Sequence, residues 1–528
     1  MASLNTTPET PAAVVATQKF RSQMGQISRH SAVFFAGTMF TAAAGYLFKV
    51  YLARVLGAEA LGLYALGMTI IGLVGVFNGL GLPQAAVRFV ALYTATNKYE
   101  ELRGFLVRAF CLLFAANVVL GCFVVFAGPW IALHFYHTLE LRQYLGLFAL
   151  IMILGAMTTF FGQILQGYKD VSRRTIITNF IGTPLMMVLT IAFVMAGQGL
   201  QGYILAQVLS AGFVLLLLFA MAWKLSPKAM RRYSGALPRL ESQVLSFGAA
   251  AFGMALMEFL LAQIDKVLIG FYINAREVGI YAVAMAIVAF VPVALQSVNQ
   301  IFSPTISDLH ARGEHELLGR LFQTLTKWIL ALTLPLATVV MVFSKPLMQI
   351  FGQEFEAGWI VLVIGTAGQL INCGTGSVGY LLLMSGNQNR LIKVQAVMTG
   401  GMVLLNVLLI PPLGILGAAL ATAATAIVSN IWFLIEVRGA LGMSPYNRRY
   451  LHLLPAVTAS VVTAVLSRWL TGSWRPQWVV ILMSAVFSYL VLIGTSAMIG
   501  LDEGDRLIAN AVWARLQSLF GRTVVSAG

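Results

Sequence analysis

Apolar residues fill long runs along this chain, and polar residues gather in the short stretches between them. Each apolar run has 18 or more residues, enough for one helix to cross a hydrocarbon core of about 30 Å. The pattern therefore predicts fourteen transmembrane helices. These predicted helices cover 31–53, 60–81, 104–126, 142–165, 175–196, 201–222, 246–273, 278–301, 322–343, 357–384, 393–410, 414–436, 451–470 and 477–499.

The composition indicates an all-α integral membrane protein. Of 528 residues, 59% are hydrophobic and only 10% are charged, whereas a soluble protein carries about 25% charged residues. The runs lack the short alternation of apolar and polar positions that is typical of a transmembrane barrel. We expect a multi-pass protein of a bacterial cytoplasmic (inner) membrane.

The basic residues give the predicted orientation. Twenty-six of the 34 Lys and Arg lie at the N-terminus, in alternate loops or in the tail, with Lys327 included near the start of the ninth helix. Only six lie on the opposite side, so the positive-inside rule predicts that both termini are cytoplasmic. Orientation accounts for the net charge of +15, and no nucleic acid partner is needed to explain it.

A basic stretch with two prolines follows the sixth predicted helix and separates two six-helix lobes, after which two further helices follow. The predicted segments are a polar cytoplasmic N-terminus (1–30), an N-lobe (31–222), a basic cytoplasmic linker (223–245), a C-lobe (246–436), helices 13 and 14 (437–500) and a cytoplasmic tail (501–528).

An internal repeat supports the two lobes. Residues 48–71 and 265–288 align without gaps and share eight of 24 positions, among them Lys49 with Lys266 and Tyr64 with Tyr281. Because each lobe has an even number of helices, both enter the membrane in the same orientation. In such parallel repeats, substrate sites tend to lie between the halves.

Lys49 and Lys266 stand in apolar runs, where an ammonium is costly. Thr41, Gly45 and Lys49 recur at spacings of four and share one helix face. One interpretation is a water-filled cavity between the lobes, with both lysines attracting an anionic substrate. The other is that both lysines extend to the headgroups or form structural ion pairs. Repetition at equivalent positions, against the positive-inside bias, favours the cavity.

Two acids and two amides are further candidates. Glu258 lies near the middle of the seventh predicted helix, where a carboxylate either takes up a proton during transport or forms a buried pair. Asp265 lies beside Lys266. Gln296 and Asn299 either line the same cavity or form ordinary hydrogen bonds between helices.

Catalytic motifs are not found in the sequence. It contains no P-loop and no arrangement of serine, cysteine or paired carboxylates for hydrolysis, and its three cysteines lie inside apolar helices without ligand partners. We therefore expect a protein that is not an enzyme, with no cofactor and no metal site.

Several stretches carry a resemblance to bacterial polysaccharide flippases. RVLGAEALGLY at 54–64 resembles the turn after their first helix, GLGLPQAAVR at 79–88 the end of their second, and IDKVLIG at 264–270 the opening of their second half. The match spans the chain. The resemblance is to the polysaccharide transporter branch, including O-antigen flippases, of the multidrug/oligosaccharidyl-lipid/polysaccharide exporter superfamily.

The resemblance implies that the chain moves polyprenyl-pyrophosphate-linked oligosaccharide from the inner to the outer leaflet by alternating access, for O-antigen or exopolysaccharide biosynthesis. It implies that Lys49 and Lys266 attract the pyrophosphate, that Arg54 acts at the outer exit and Arg88 at the cytoplasmic entrance. Asp265 either holds Lys266 in position or takes part in ion coupling. The implied partners are the bilayer, H+ or Na+ as coupling ion, and the polysaccharide polymerase machinery.

Other functions stay open at this point. A cation-coupled multidrug exporter of the same superfamily shares the two-lobed fold, and fold does not fix substrate. A flippase for a lipid-linked peptidoglycan precursor would differ only in its substrate. A purely structural membrane protein is disfavoured, because it would not need charges repeated in two lobes.

Overall fold

The computed structural model describes residues 11–78, 82–134, 136, 138–168, 170–232, 257, 259–446, 454–471 and 476–499. Within these ranges the chain forms α-helices with short 3-10 and π segments, and no β-strand occurs there. This confirms the all-α fold class. Glu258, residues 233–245 of the predicted linker and the predicted tail at 501–528 lie outside the described residues.

The chain divides into two compact units, Met1–Phe259 and Leu260–Gly528. The helices of the first unit are α1 (Pro11–Gly75), α2 (Leu82–Ala95), α3 (Tyr99–His134), α4 (Leu145–Gly167), α5 (Val171–Thr175), α6 (Thr183–Met195), α7 (Gly199–Leu225) and α8 (Lys228–Arg232). A 3-10 turn at Leu139–Tyr144 precedes α4, and a π segment at Ile176–Gly182 joins α5 to α6.

Helix α1 covers the first predicted transmembrane helix and most of the second, 60–81, in one element that ends at Gly75. It begins at Pro11, before the predicted start at 31, and it continues through the predicted turn at 54–59. The only departure from helical geometry in its interior is Gly57, with φ 81° and ψ 173°. Such a conformation favours glycine, which has no Cβ to clash with the backbone. The predicted turn is therefore a break at one residue.

The core of the first unit lies among α2, α3, α4 and α7. Its buried side chains include Leu82, Phe89, Leu102, Phe160 and Leu218, each at most 1% exposed. Apolar residues of α2 face this core although a transmembrane helix was not predicted there. Pro83, at the second position of α2, fits the first turn of a helix because its missing N–H would have no partner there.

The described part of the second unit also consists of helices and short turns. Its helices are α9 (259–272), α10 (Ala275–Val288), α11 (Val293–Ala311), α12 (His315–Val342), α13 (Ser344–Gln349), α14 (Trp359–Thr375), α15 (Val378–Met384), α16 (Gln388–Leu413), α17 (Ile415–Leu441), α18 (Leu454–Thr471) and α19 (Gln477–Ile499). A 3-10 turn at Gln353–Gly358 precedes α14.

Two clusters of buried side chains hold the second unit together. One joins α11, α12, α15 and α17 through Phe302, Phe322, Leu381 and Val437. The other joins α12 to α18 and α19 through Ala331, Ala456 and Leu492. The last two helices therefore pack on this unit.

Eleven helices of the described part are long and apolar enough to span a membrane, and they become twelve if the bent pair Ala275–Val288 and Val293–Asn299 is one span. The chain is thus a multi-pass membrane protein. The predicted count of fourteen is not confirmed, and the cytoplasmic placement of both termini stays a prediction. The bent pair turns by 55° at a break that includes Pro292, as expected where a proline removes a backbone donor.

Candidate functional site

The stripe that carries Lys49 faces open space in the first unit. Lys49 is exposed on α1, and a Cβ added to Gly45, one turn earlier, would meet no atom within 4 Å. The hydroxyl oxygen of Thr41, another turn earlier, is buried and accepts or donates no hydrogen bond within the described part of the chain. Gly45 is therefore not needed for close helix packing, and the stripe is open to a ligand or to lipid at Gly45 and Lys49, although the hydroxyl of Thr41 is buried.

Two arginines of the first unit were also predicted site residues. Arg54 is exposed on α1, three residues before the break at Gly57. Arg88 lies on α2 between buried Ala86 and Phe89, and its side chain is outside the described part. Since Lys49 and Arg54 are five residues apart on one helix, the two cations lie about 7.5 Å apart along its axis, at a rise of about 1.5 Å per residue.

Tyr64 anchors a polar contact in the interior of the first unit. Its hydroxyl donates to Gln207 Oε1 at 3.2 Å, and its ring lies 4.8 Å from the ring of Tyr203. These side chains join α1 to α7. In the sequence Tyr64 stands out only as an identity with Tyr281 in the repeat, which does not predict this contact.

In the second unit, Lys266 is half-buried on α9, and its ammonium donates to Gln263 Oε1 at 2.8 Å. The two residues are three positions apart and so lie on the same helix face. The partner is a neutral amide, so the hydrogen bond orients the ammonium without neutralising its charge. Lys266 forms no ion pair with Asp265 in the described residues.

Asp265 is 4% exposed and its two oxygens are occupied by other donors. Oδ2 accepts from the hydroxyl of Tyr281 at 2.7 Å, and Oδ1 accepts from the backbone N–H of Lys266 at 2.7 Å. The hydroxyl of Tyr281 also lies 3.3 Å from Thr422 Oγ1. The carboxylate is thus held by two hydrogen bonds in a buried polar cluster made of α9, α10 and α17.

The two predicted amides lie on α11 in different surroundings. Gln296 is exposed, whereas Asn299 is 8% exposed and its Oδ1 has no hydrogen-bond partner among the described residues. A buried amide oxygen without a partner is costly. Asn299 therefore has an acceptor open to a ligand or a water molecule.

Three residues near these sites could not be predicted as site residues from the sequence. Gln263, Thr422 and Tyr281 provide the partners of Lys266 and Asp265, and only Tyr281 had left a signal, as an identity in the repeat. Lys327, which was counted among the predicted cytoplasmic cations, is only 4% exposed on α12. A count of charges by segment does not register the burial of one side chain.

The described residues contain no cluster of three or more His, Cys, Asp or Glu side chains that could hold a metal ion.

Comparison with known sequences connects this geometry to one family. Residues 51–358, more than half of the chain, match the family described as polysaccharide biosynthesis protein. A probable low-salt glycan biosynthesis flippase, Agl15, of Haloferax volcanii is 23% identical over 240 residues, which are 45% of this chain and 50% of that protein. The chain thus matches about half the length of that relative.

Solved structures share the fold. A lipid II flippase, MurJ, in an inward closed conformation superposes with a TM-score of 0.68 at 16% identity, over 88% of this chain and 98% of MurJ. An inward-facing multidrug resistance transporter of the MATE family, of the MOP superfamily, superposes with a TM-score of 0.60 at 15% identity, over 78% and 98% of the two chains. At these identities the likeness concerns the fold alone.

Proposed function

The chain belongs to the polysaccharide biosynthesis protein family, within the polysaccharide flippases of the MOP superfamily, and we propose that it flips polyprenyl-pyrophosphate-linked oligosaccharide from the inner to the outer leaflet. The cell-surface polymer would be O-antigen or exopolysaccharide, and the transport cycle would be alternating access in a bacterial cytoplasmic membrane.

The observation that carries the proposal is the hydrogen bond between Lys266 and Gln263. A cation placed within a membrane-spanning unit is costly and is retained where it has a function. Because Gln263 is neutral and Asp265 is bound to Tyr281, the charge of Lys266 remains available for an anion. A pyrophosphate offers several oxygens for charge-assisted hydrogen bonds with an ammonium.

Lys49 has the equivalent place in the first unit, and its exposure supports the same role there. We propose that Arg54 acts where the substrate leaves and Arg88 where it enters. Gln296 and Asn299 would offer amide groups to sugar hydroxyls, and the open acceptor of Asn299 suits such a donor.

We further propose Asp265 and Glu258 as groups that couple transport to H+ or Na+. A buried carboxylate held by a neutral phenol can exchange a proton or bind a small cation. The polymerase machinery that uses the flipped oligosaccharide is the proposed partner. The protein would act as a transporter without catalysing a covalent step.

The test is a flipping assay with the purified chain in liposomes that contain lipid-linked oligosaccharide. An impermeant lectin measures the sugar that reaches the opposite leaflet. We expect exposure that depends on the protein and falls at least tenfold in Lys266→Gln and Lys49→Gln, with recovery in Lys266→Arg. Lys393→Gln, which changes an exposed lysine of the second unit, is the matched control and should keep the wild-type rate.

A second candidate function is a cation-coupled exporter, which the pairing of Asp265 with Tyr281 favours, because buried carboxylates also attract cationic substrates. The same liposomes distinguish the two. Export of a small organic cation under an imposed H+ or Na+ gradient, without any exposure of sugar, would replace the flippase proposal. A flippase for a lipid-linked peptidoglycan precursor is distinguished by supplying that lipid in place of the oligosaccharide.

A further inference from the structure

A cleft of about 230 Å³ opens on the first unit, away from the proposed site residues, and buried Phe160 of the core forms part of its floor. It lies where the first turns of α3 meet the last turns of α4 and α7. Its lining is almost entirely apolar and includes four phenylalanines, Phe110, Phe160, Phe161 and Phe219. None of the proposed substrate or coupling residues lines it.

The phenylalanines form a continuous wall. The ring of Phe161 packs edge-on against Phe219 with centroids 5.4 Å apart, and the ring of Phe110 lies 5.8 Å from Phe161 on the other side. At the rim, Val107, Phe219 and Trp223 are 38%, 49% and 53% exposed. A hydrocarbon chain can therefore reach the wall from the bilayer side.

One end of the cleft is cationic. Arg103 lines it, is half-buried, and has neither an ion pair nor a hydrogen bond within the described ranges. Two other cations of the first unit are already paired: Lys98 lies 3.9 Å from Glu101, and Arg173 lies 3.0 Å from Asp170. A half-buried guanidinium without a carboxylate favours an anion that comes from outside the protein.

The position along the bilayer agrees with a lipid headgroup. Arg103 lies one turn from the start of α3, and Trp223 lies near the end of α7. Tryptophan at the end of a membrane helix prefers the interface. Lys224 and Lys228 follow close by, and the positive-inside rule assigns this end to the cytoplasm. Anionic phospholipids supply the negative surface of cytoplasmic leaflets, and basic pockets between helices there bind their headgroups.

We propose that this cleft binds one anionic phospholipid, with an acyl chain along the phenylalanine wall and the phosphate on Arg103. The alternative occupant is the chain segment that follows α8. Residues 233–245 contain Arg239 and one acid, Glu241, so the segment carries no net negative charge to complement Arg103. The proposal concerns a lipid that stays bound and does not depend on which substrate is transported.

The test measures which lipid stays bound to the full chain after purification in detergent. The probes are phosphatidylglycerol and phosphatidylcholine with identical acyl chains, added in equal amounts and counted by native mass spectrometry. We expect the wild type to retain phosphatidylglycerol about tenfold more strongly. Arg103→Gln should abolish this preference, whereas Arg103→Lys, which keeps the charge, should retain most of it. Arg320→Gln, which changes an exposed arginine of the second unit, is the matched control.

A second variant tests the cleft without altering charge. Val107→Trp places a large side chain at the exposed rim, so it should fill the cleft, leave the fold intact and reduce retention of phosphatidylglycerol about tenfold. Bromine atoms on the acyl chain of phosphatidylglycerol should quench the fluorescence of Trp223. The contribution of Trp223 is the difference in fluorescence between the wild type and Trp223→Phe, and this difference should shrink when the brominated lipid is bound.

Three results would overturn the proposal. They are equal retention of the two lipids by the wild type, a preference that survives both Arg103→Gln and Val107→Trp, and a Trp223 signal that brominated phosphatidylglycerol does not quench. If residues 233–245 occupy the cleft instead, the wild type should retain the two lipids equally. A cysteine placed at Val107 should then crosslink to that segment.

Discussion

The hydroxyl of Tyr281 donates to Asp265 Oδ2 at 2.7 Å, and both side chains are buried in the second unit. At the equivalent position of the repeat, the hydroxyl of Tyr64 donates to Gln207 Oε1 at 3.2 Å in the first unit. Phe48 occupies the place of Asp265 there. The repeat thus keeps the tyrosine in both units, while only the second gives it a carboxylate partner.

Removing the two hydroxyls should therefore have unequal effects. A hydrogen bond to a charged group contributes about 1.5–3 kcal/mol and one between neutral groups about 0.5–1.5 kcal/mol. We expect Tyr281→Phe to lower the free energy of unfolding by about 2 kcal/mol and Tyr64→Phe by about 1 kcal/mol. Steric trapping of the purified protein in detergent measures both values. Equal losses would indicate that Asp265 is protonated in the resting protein.

Transport should depend on the neutrality of Gln263 as well as on its hydrogen bond to Lys266. Gln263→Leu removes the acceptor and should lower the flipping rate about tenfold, which corresponds to 1.4 kcal/mol. Gln263→Glu keeps an acceptor but places a negative carboxylate beside the ammonium of Lys266, which would neutralise its charge. If the cation attracts the pyrophosphate, Gln263→Glu should be as slow as Gln263→Leu.

The initial rate of lectin-detected exposure in liposomes measures both variants. Wild-type rates in Gln263→Glu would mean that Lys266 needs only to be positioned, and its role as an anion attractor would then be wrong. Gln369→Glu is a matched control, because Gln369 accepts a hydrogen bond from the neutral Asn372 at 2.9 Å in the same unit.

The fold class and the family could be predicted from the sequence because both depend on features that extend over many residues. Long apolar runs indicate membrane helices wherever they pack, and the order of short motifs survives errors in helix ends. Single-residue geometry could not be predicted in this way. The break in α1 depends on one φ angle at Gly57, and the short apolar stretch after Pro83 gave no sign of a helix that faces the core.

The candidate site was predictable only in part, for a similar reason. Lys49, Lys266 and Asp265 stand out because charges are rare in apolar runs. Their partners do not, since Gln263 and Thr422 are ordinary residues whose role depends on packing between α9, α10 and α17. The partner of Asp265 comes from 16 positions away, and the adjacent Lys266 contributes only its backbone N–H.

The open face of α1 at Gly45 gives a test of whether the stripe with Lys49 faces the transported substrate. Gly45→Leu should keep or slightly raise stability, because nothing lies within 4 Å of an added Cβ and leucine favours a helix over glycine, and it should slow flipping about tenfold by obstructing the approach to Lys49. Gly155→Leu is the control, since Gly155 on α4 is exposed and equally open. Equal flipping rates in both variants would mean that the Lys49 stripe faces lipid.

The break between α14 and α15 should depend on one glycine. Gly376 has φ 71° and ψ −147°, a region that residues with a Cβ avoid, and an added Cβ would collide with the side chain of buried Thr326. We expect Gly376→Ala to lower the free energy of unfolding by about 3 kcal/mol, from backbone strain of about 1–3 kcal/mol and overpacking of similar size. Gly374→Ala is the matched control: Gly374 is helical and its nearest neighbour would be Leu330 Cδ1 at 3.8 Å.

Alanine also favours a helix over glycine by about 1 kcal/mol, so Gly374→Ala should be neutral or stabilising. Thermal unfolding of both variants in one detergent, followed by tryptophan fluorescence, provides the comparison. A second substitution, Thr326→Ala in the Gly376→Ala background, should recover the part of the loss that comes from the collision and leave the part that comes from the backbone. If Gly376→Ala is as stable as Gly374→Ala, the predicted single span 357–384 would be the better description of this segment, with α14 continuing into α15.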